Sequence, residues 1–125
     1  MGIKAIPMRK DNIVYIKAKA FSVRIIRFRN YLCAEKKEYV LADQLLRSAT
    51  SIGANIAESI DAVSTKDFLN KLSISLKECS ETKYWLEILY ESGIIDTKIY
   101  DSLYEDCNEL YKILSSITRT IASKK

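Results

Sequence analysis

Histidine is absent from this 125-residue sequence. That absence removes the commonest general base, the commonest metal ligand and the partner of every Ser-His or Cys-His nucleophile. Proline occurs once, at Pro7, and glycine three times, at Gly2, Gly53 and Gly93. From Asp11 onward almost nothing interrupts a helix, which sets aside an all-β fold. No apolar run approaches the roughly 18–20 residues that span a bilayer, and the N-terminus carries no signal-peptide pattern. A cytoplasmic chain with no membrane partner is expected. Cys33, Cys79 and Cys107 are odd in number, far apart and without a Cys-x-x-Cys pair. They read as free thiols, not as a disulfide framework or zinc site, with Cys79 and Cys107 in the core.

What remains is 48% apolar and 29% charged, with a net charge of +4. This suits one domain with one sizeable core. The charge is unevenly placed: most uncompensated Lys and Arg precede Arg47, and the remainder is slightly acidic.

Apolar spacings of three and four predict four helices, over about 12–36, 38–61, 65–92 and 97–122. Their core stripes are Val14, Ala18, Phe21, Ile25, Phe28 and Leu32; Leu41, Leu45, Ala49, Ile52, Ile56 and Ile60; Leu69, Leu72, Leu76, Cys79, Leu86 and Tyr90; and Ile99, Leu103, Cys107, Leu110, Leu114, Ile117 and Ile121. Ser64 or Thr65 caps the third helix, Asp96 or Thr97 caps the fourth, and Gly93 supplies a left-handed stop. Residues 1–11 form a basic N-terminal segment, extended or poorly ordered. Residues 12–123 then make an all-α, up-down-up-down antiparallel four-helix bundle of long helices. Gly53 lies among Ser48, Ala49, Ser51 and Ala54, a small-residue patch that predicts close helix contact.

Each helix carries more apolar surface than one core stripe needs. Ile16, Val23 and Ile26 on the first, Ile74, Trp85 and Ile88 on the third, and Tyr100, Tyr104 and Tyr111 on the fourth lie off the core stripes. They are candidate oligomer or partner contacts. On the second helix Gln44, Arg47, Ser51, Asn55 and Glu58 form a polar stripe. Antiparallel pairing predicts an ion pair from Arg47 to Glu78 or Glu81 that fixes register. A carboxylate cluster of Glu58, Glu78 and Glu81 is the catalytic alternative, but a di-metal bundle would need Glu-x-x-His partners that the chain lacks. No catalytic residue, metal site, cofactor or small-molecule substrate is therefore assigned. Lys10, Lys17, Arg24 and Arg27, with Tyr31, form a basic strip of the kind that tracks phosphates; a solvated helix face explains it equally well.

The run from Gln44 to Glu58, with Phe68, Lys71–Thr82 and Tyr84-Trp85-Leu86, resembles bacterial four-helix bundle proteins. These include the intervening-sequence proteins encoded within some large-subunit ribosomal RNA genes and accessory bundles of diversity-generating retroelements. The resemblance covers nearly the whole chain after the basic segment, and its Arg-x-x-x-Ser-Ile-x-x-Asn-Ile-Ala-Glu core is specific. It implies a ring-forming homo-oligomer, often a pentamer; in the similar retroelement bundles a basic ring engages the reverse transcriptase and RNA. It supplies no catalytic residue. Lys77 stands where many members have a small residue, which would alter the helix contact there. The reading that follows is a non-enzymatic oligomer binding nucleic acid, structured RNA, through a basic face, possible roles being accessory to a reverse transcriptase or a ribosomal RNA element. The alternative is a protein-protein interaction scaffold that binds no nucleic acid.

Overall fold

The computed structural model describes residues 8–124. Four helices follow one another: α1 (Ile13–Lys36), α2 (Val40–Ser59), α3 (Thr65–Glu91) and α4 (Thr97–Ser123). Sequential neighbours pack antiparallel and α4 closes back on α1. The α2–α3 seam is the most extensive and the α1–α4 seam the least.

Local chemistry explains each boundary. The Asn12 side chain accepts from the Val14 N–H at 2.9 Å, satisfying one of the donors left open at the start of α1. Lys37, in the left-handed region at φ 55°, ends it, with the N–H groups of Lys37 and Glu38 both returning to the Leu32 carbonyl. This turn delays α2 to Val40, two residues later than the spacing predicts. At its other end the bonds from Ile60, Asp61 and Ala62 each reach back only three residues, tightening the last turn and closing α2 at Ser59. Ser64 caps α3 by accepting from the Asp67 N–H at 3.0 Å, and Asp96 caps α4 by accepting from the Ile99 N–H at 2.9 Å. Gly93 at φ 78° takes the left-handed position, and the bonds Gly93 to Tyr90 and Ile94 to Leu89 complete a Schellman motif.

The N-terminal segment was expected to be extended or poorly ordered. Residues 1–7 lie outside the described residues; within the rest, Met8 is buried in the core and the Asn12 N–H bonds to the Arg9 carbonyl, closing a turn over 9–12.

The core follows the predicted stripes on α1, on α4 and through the middle of α2, with Ile25, Leu45, Ile52 and Leu114 fully buried; at the ends of α2, Ala42 and Ser59 are buried where the predicted Leu41 and Ile60 are half-buried. Each such side chain contributes roughly 1.5–3 kcal/mol of transfer free energy. On α3 the predicted stripe is one residue out of place at both ends: Phe68 and Leu89 are fully buried, whereas Leu69 is half-buried and Tyr90 exposed. The reason is that two of its core positions are polar. Ser75 and Thr82 are fully buried, where Ser75 donates to the Ile52 carbonyl at 2.8 Å and Thr82 to the Ser48 hydroxyl at 2.9 Å. Small hydroxyl residues facing each other let α2 and α3 approach closely while keeping their polar atoms paired. Lys77 is exposed, so it does not alter a helix contact.

Candidate functional site

The predicted polar network assembles on the α2–α3 seam. Arg47 reaches Gln44 on its own helix and pairs with Glu81 across the seam, while its guanidinium stands 3.7 Å from Glu78. The Trp85 indole N–H donates to the same Glu81 carboxylate at 2.9 Å. Trp85 thus belongs to the seam and packs against the core instead of forming a free apolar contact. Glu78 Oε1 is buried without a hydrogen-bond partner among the described residues. At 3.7 Å the Arg47 charge stabilises it only through space. Asn55 bonds within its own helix to Ser51, and Glu58 takes Lys71 at 2.8 Å, a bond that raises the Lys71 pKa. The carboxylates considered for catalysis are therefore divided between two cations: Arg47 holds Glu78 and Glu81, and Lys71 holds Glu58. This geometry ties α2 to α3 and sets a cation beside each of the three carboxylates.

The basic strip is rearranged by partners the sequence reading did not foresee. Lys17 pairs with Glu109 at 3.2 Å, and Arg24 pairs with Asp106 at 2.6 Å while also bonding the Ser102 hydroxyl at 2.8 Å. These bonds close the sparse α1–α4 seam. All four ionised side chains are well exposed, so each pair contributes roughly 0–1 kcal/mol. Lys10 and Arg27 stay exposed and without an ion-pair partner among the described residues. Tyr31 is exposed and stacks on Phe28 with ring centroids 6.1 Å apart. Above them Arg24, Phe28, Tyr31, Ile99 and Leu103 line an open cleft of about 350 Å³.

The outward face of α1 is apolar. Ile16, Val23 and Ile26 are 50%, 46% and 45% exposed, in line along the helix, with Lys19 and Arg27 exposed beside them. Ile74 and Ile88, predicted with them, are half-buried on α3.

The α3–α4 groove holds the predicted tyrosines in a ladder. Tyr90 stacks on Tyr100 at 4.7 Å, Tyr100 meets Tyr104 at 5.4 Å, and the Lys83 ammonium lies 5.5 Å from the Tyr104 ring and 4.3 Å from that of Tyr111. Lys83 also donates to Asn108 at 2.7 Å. Burial, followed by the negative field of Glu87, the neighbouring Tyr104, and Asp101 and Glu91, raises the Tyr100 pKa. Lys83 and these acids were not singled out from sequence. The alternation of Tyr100, Tyr104 and Tyr111 with Asp101 and Glu105 on α4 carried the signal, but only the fold sets Lys83 against it.

Cys107 donates its thiol to the Cys79 carbonyl at 3.5 Å, and both thiols are buried in the core. The adjacent Cys107 thiol, followed by burial, holds the Cys79 thiol well above its ordinary pKa, so it stays protonated.

No helix among the described residues is long and apolar enough to cross a membrane. The family model described as 23S rRNA-intervening sequence protein matches residues 10–116. A crystal structure of a protein with unknown function from the S23 ribosomal protein family of Bacteroides thetaiotaomicron is similar throughout. It is 48% identical with a TM-score of 0.86, covering 89% of this chain and 99% of the other. No curated protein matches this chain.

Proposed function

Since the chain belongs to the 23S rRNA-intervening sequence protein family, whose model spans most of its length, we propose that it works without catalysis, as a self-associating bundle that acts through protein–protein contact. One observation carries this reading: the outward face of α1 presents Ile16, Val23 and Ile26, each about half exposed, in a row that nothing among the described residues covers. Aligned exposed apolar side chains on a rigid element mark a contact surface, whereas scattered ones do not. The absence of histidine and the engagement of Glu58, Glu78 and Glu81 by Lys71 and Arg47 support the non-catalytic part.

Structured RNA is the second reading. It is favoured by Lys10, Lys19, Arg27, Lys36 and Lys37, which lie along and beyond α1 without an ion-pair partner among the described residues. It is weakened at Lys17 and Arg24, whose charges are already met by Glu109 and Asp106. Light scattering and RNA anisotropy separate the two. A solution mass of several 14.3 kDa protomers with no salt-sensitive RNA binding is the expected result. A monomer at micromolar concentration that binds RNA, with affinity falling steeply as salt rises, would replace this reading by the second.

A further inference from the structure

We propose that the cleft between α1 and α4 binds a small aromatic carboxylate, its ring between the two helices and its charge at the mouth. The cleft opens on the α4 side of α1, apart from the outward row of Ile16, Val23 and Ile26, so it does not depend on the self-association read above.

The cleft follows from how the bundle closes. The α1–α4 seam is the least extensive in the bundle. Arg24 bridges it, its guanidinium bonded to Asp106 at 2.6 Å and to the Ser102 hydroxyl at 2.8 Å. Beside that bridge the helices leave about 350 Å³ open among Arg24, Phe28, Tyr31, Ile99 and Leu103. Sites for small ligands run from about 300 Å³ upward and are mostly apolar, with a few placed polar groups. Here Leu103 is buried, Phe28 and Ile99 are half-buried and Tyr31 is exposed, so both helices supply walls that descend from solvent to the core.

Two features call for a flat ring. The rings of Phe28 and Tyr31 lie 6.1 Å apart and 22° from parallel, and Tyr31 remains open to solvent. The planar Arg24 guanidinium is already fixed by its partners on α4, so little freedom is lost when a ring is laid against it. Aromatic rings stack on both kinds of surface.

The mouth calls for an anion. Arg27 lies three residues after Arg24 and four before Tyr31, on the same side of α1, and Lys98 lies four residues before Ser102, which meets Arg24 from α4. Both are exposed, and neither has an ion-pair partner among the described residues. Of the acids nearby, Asp106 is met by Arg24, and Glu35 stands one turn beyond Tyr31. A carboxylate held by Arg27 and Lys98 keeps part of its hydration while the ring it carries is buried, so no charge has to be taken into the core.

The test titrates the full chain with naphthoate, with the neutral naphthylmethanol and with the aliphatic decanoate, following calorimetry and amide NMR shifts. Naphthoate is expected to bind saturably, to shift Phe28, Tyr31, Ile99 and Leu103, and to bind tighter than naphthylmethanol by about fivefold, the worth of one exposed ion pair. Arg27→Gln with Lys98→Gln, both surface positions, should remove that preference and leave the neutral ring bound as before; Tyr31→Ala should weaken both aromatic probes. Circular dichroism and an unfolding midpoint check that the variants fold. Saturable shifts elsewhere, or none, overturn the site. Equal binding of naphthoate and naphthylmethanol, or an unchanged preference in the glutamine variant, overturns recognition of the carboxylate, and decanoate bound more tightly than naphthoate overturns the aromatic class.

Discussion

Replacing Gly53 by alanine should stabilise the bundle. Gly53 sits inside α2 and faces α1, and the sequence reading takes it as a mark of close contact. A Cβ built there would lie 3.5 Å from the Ala18 Cβ, 3.5 Å from the Ser22 Oγ and 3.6 Å from the Ala18 carbonyl oxygen. Those are ordinary van der Waals distances, so α1 does not have to move. Two effects then favour the variant. Alanine gains roughly 0.8–1 kcal/mol over glycine in a helix interior, because the unfolded chain has less freedom to lose. The new methyl also gains a few dispersion contacts of about 0.1–0.2 kcal/mol each. A net gain of about 1 kcal/mol would raise Tm by about 3–5 °C in a chain of this size. Chemical denaturation checks it directly: the midpoint should rise with an unchanged slope. Gly53→Leu is the control: a Cβ there already touches Ala18 and Ser22, so a longer side chain directed at α1 should push the helices apart and lower stability. A Gly53→Ala protein less stable than wild type would refute the reasoning, because it would place α1 closer to α2 than these distances.

The two left-handed residues make opposite predictions. Gly93→Ala, at φ 78° with open space around it, should cost about 1 kcal/mol from backbone strain alone, and Lys37→Gly, at φ 55°, should recover a similar amount; thermal unfolding reads both. On the buried α2–α3 seam, Thr82→Val should cost about 1 kcal/mol, because Ser48 keeps its bond to the Leu45 carbonyl. Ser48→Ala should cost more, about 1–3 kcal/mol, by leaving the buried Thr82 hydroxyl without its acceptor; equal losses in urea unfolding would contradict this. Arg47→Ala should destabilise by roughly 1–3 kcal/mol because it leaves Glu78, whose Oε1 is already buried and unpaired, without a neighbouring positive charge. Glu78→Gln in the same background should restore part of that loss, measured as a double-mutant cycle.

The sequence makes the fold legible wherever apolar spacing and end chemistry agree. On α4 the stripe from Leu103 to Leu114 matches the buried face, and the caps at Ser64, Asp96 and Gly93 stand where their side chains or backbone freedom require. On α3 the pattern misleads because Ser75 and Thr82 occupy core positions, and the more apolar Leu69, Leu76 and Tyr90 on an adjacent stripe outweigh them. The Arg47 partners were readable because a short turn joins α2 to α3 and fixes their register. No such turn joins α1 to α4. The bonds Arg24–Asp106 and Lys17–Glu109 depend on how the bundle closes, and sequence spacing within one helix says nothing about that.

The same closure decides how the positive end of the chain is used. Read along the sequence, the cations of α1 form one strip that calls for an anionic partner. In the bundle they divide by direction. Lys17 and Arg24 face α4 and are met by its carboxylates, Arg29 faces α2 and is met by Asp43, Lys19 lies 5.5 Å from the Tyr15 ring of its own helix, and Arg27 remains beside an apolar outer face. A cation beside exposed isoleucine is poorly placed for a phosphate, which would bring its own hydration against that apolar surface. It is well placed for a partner that supplies rings and carboxylates together.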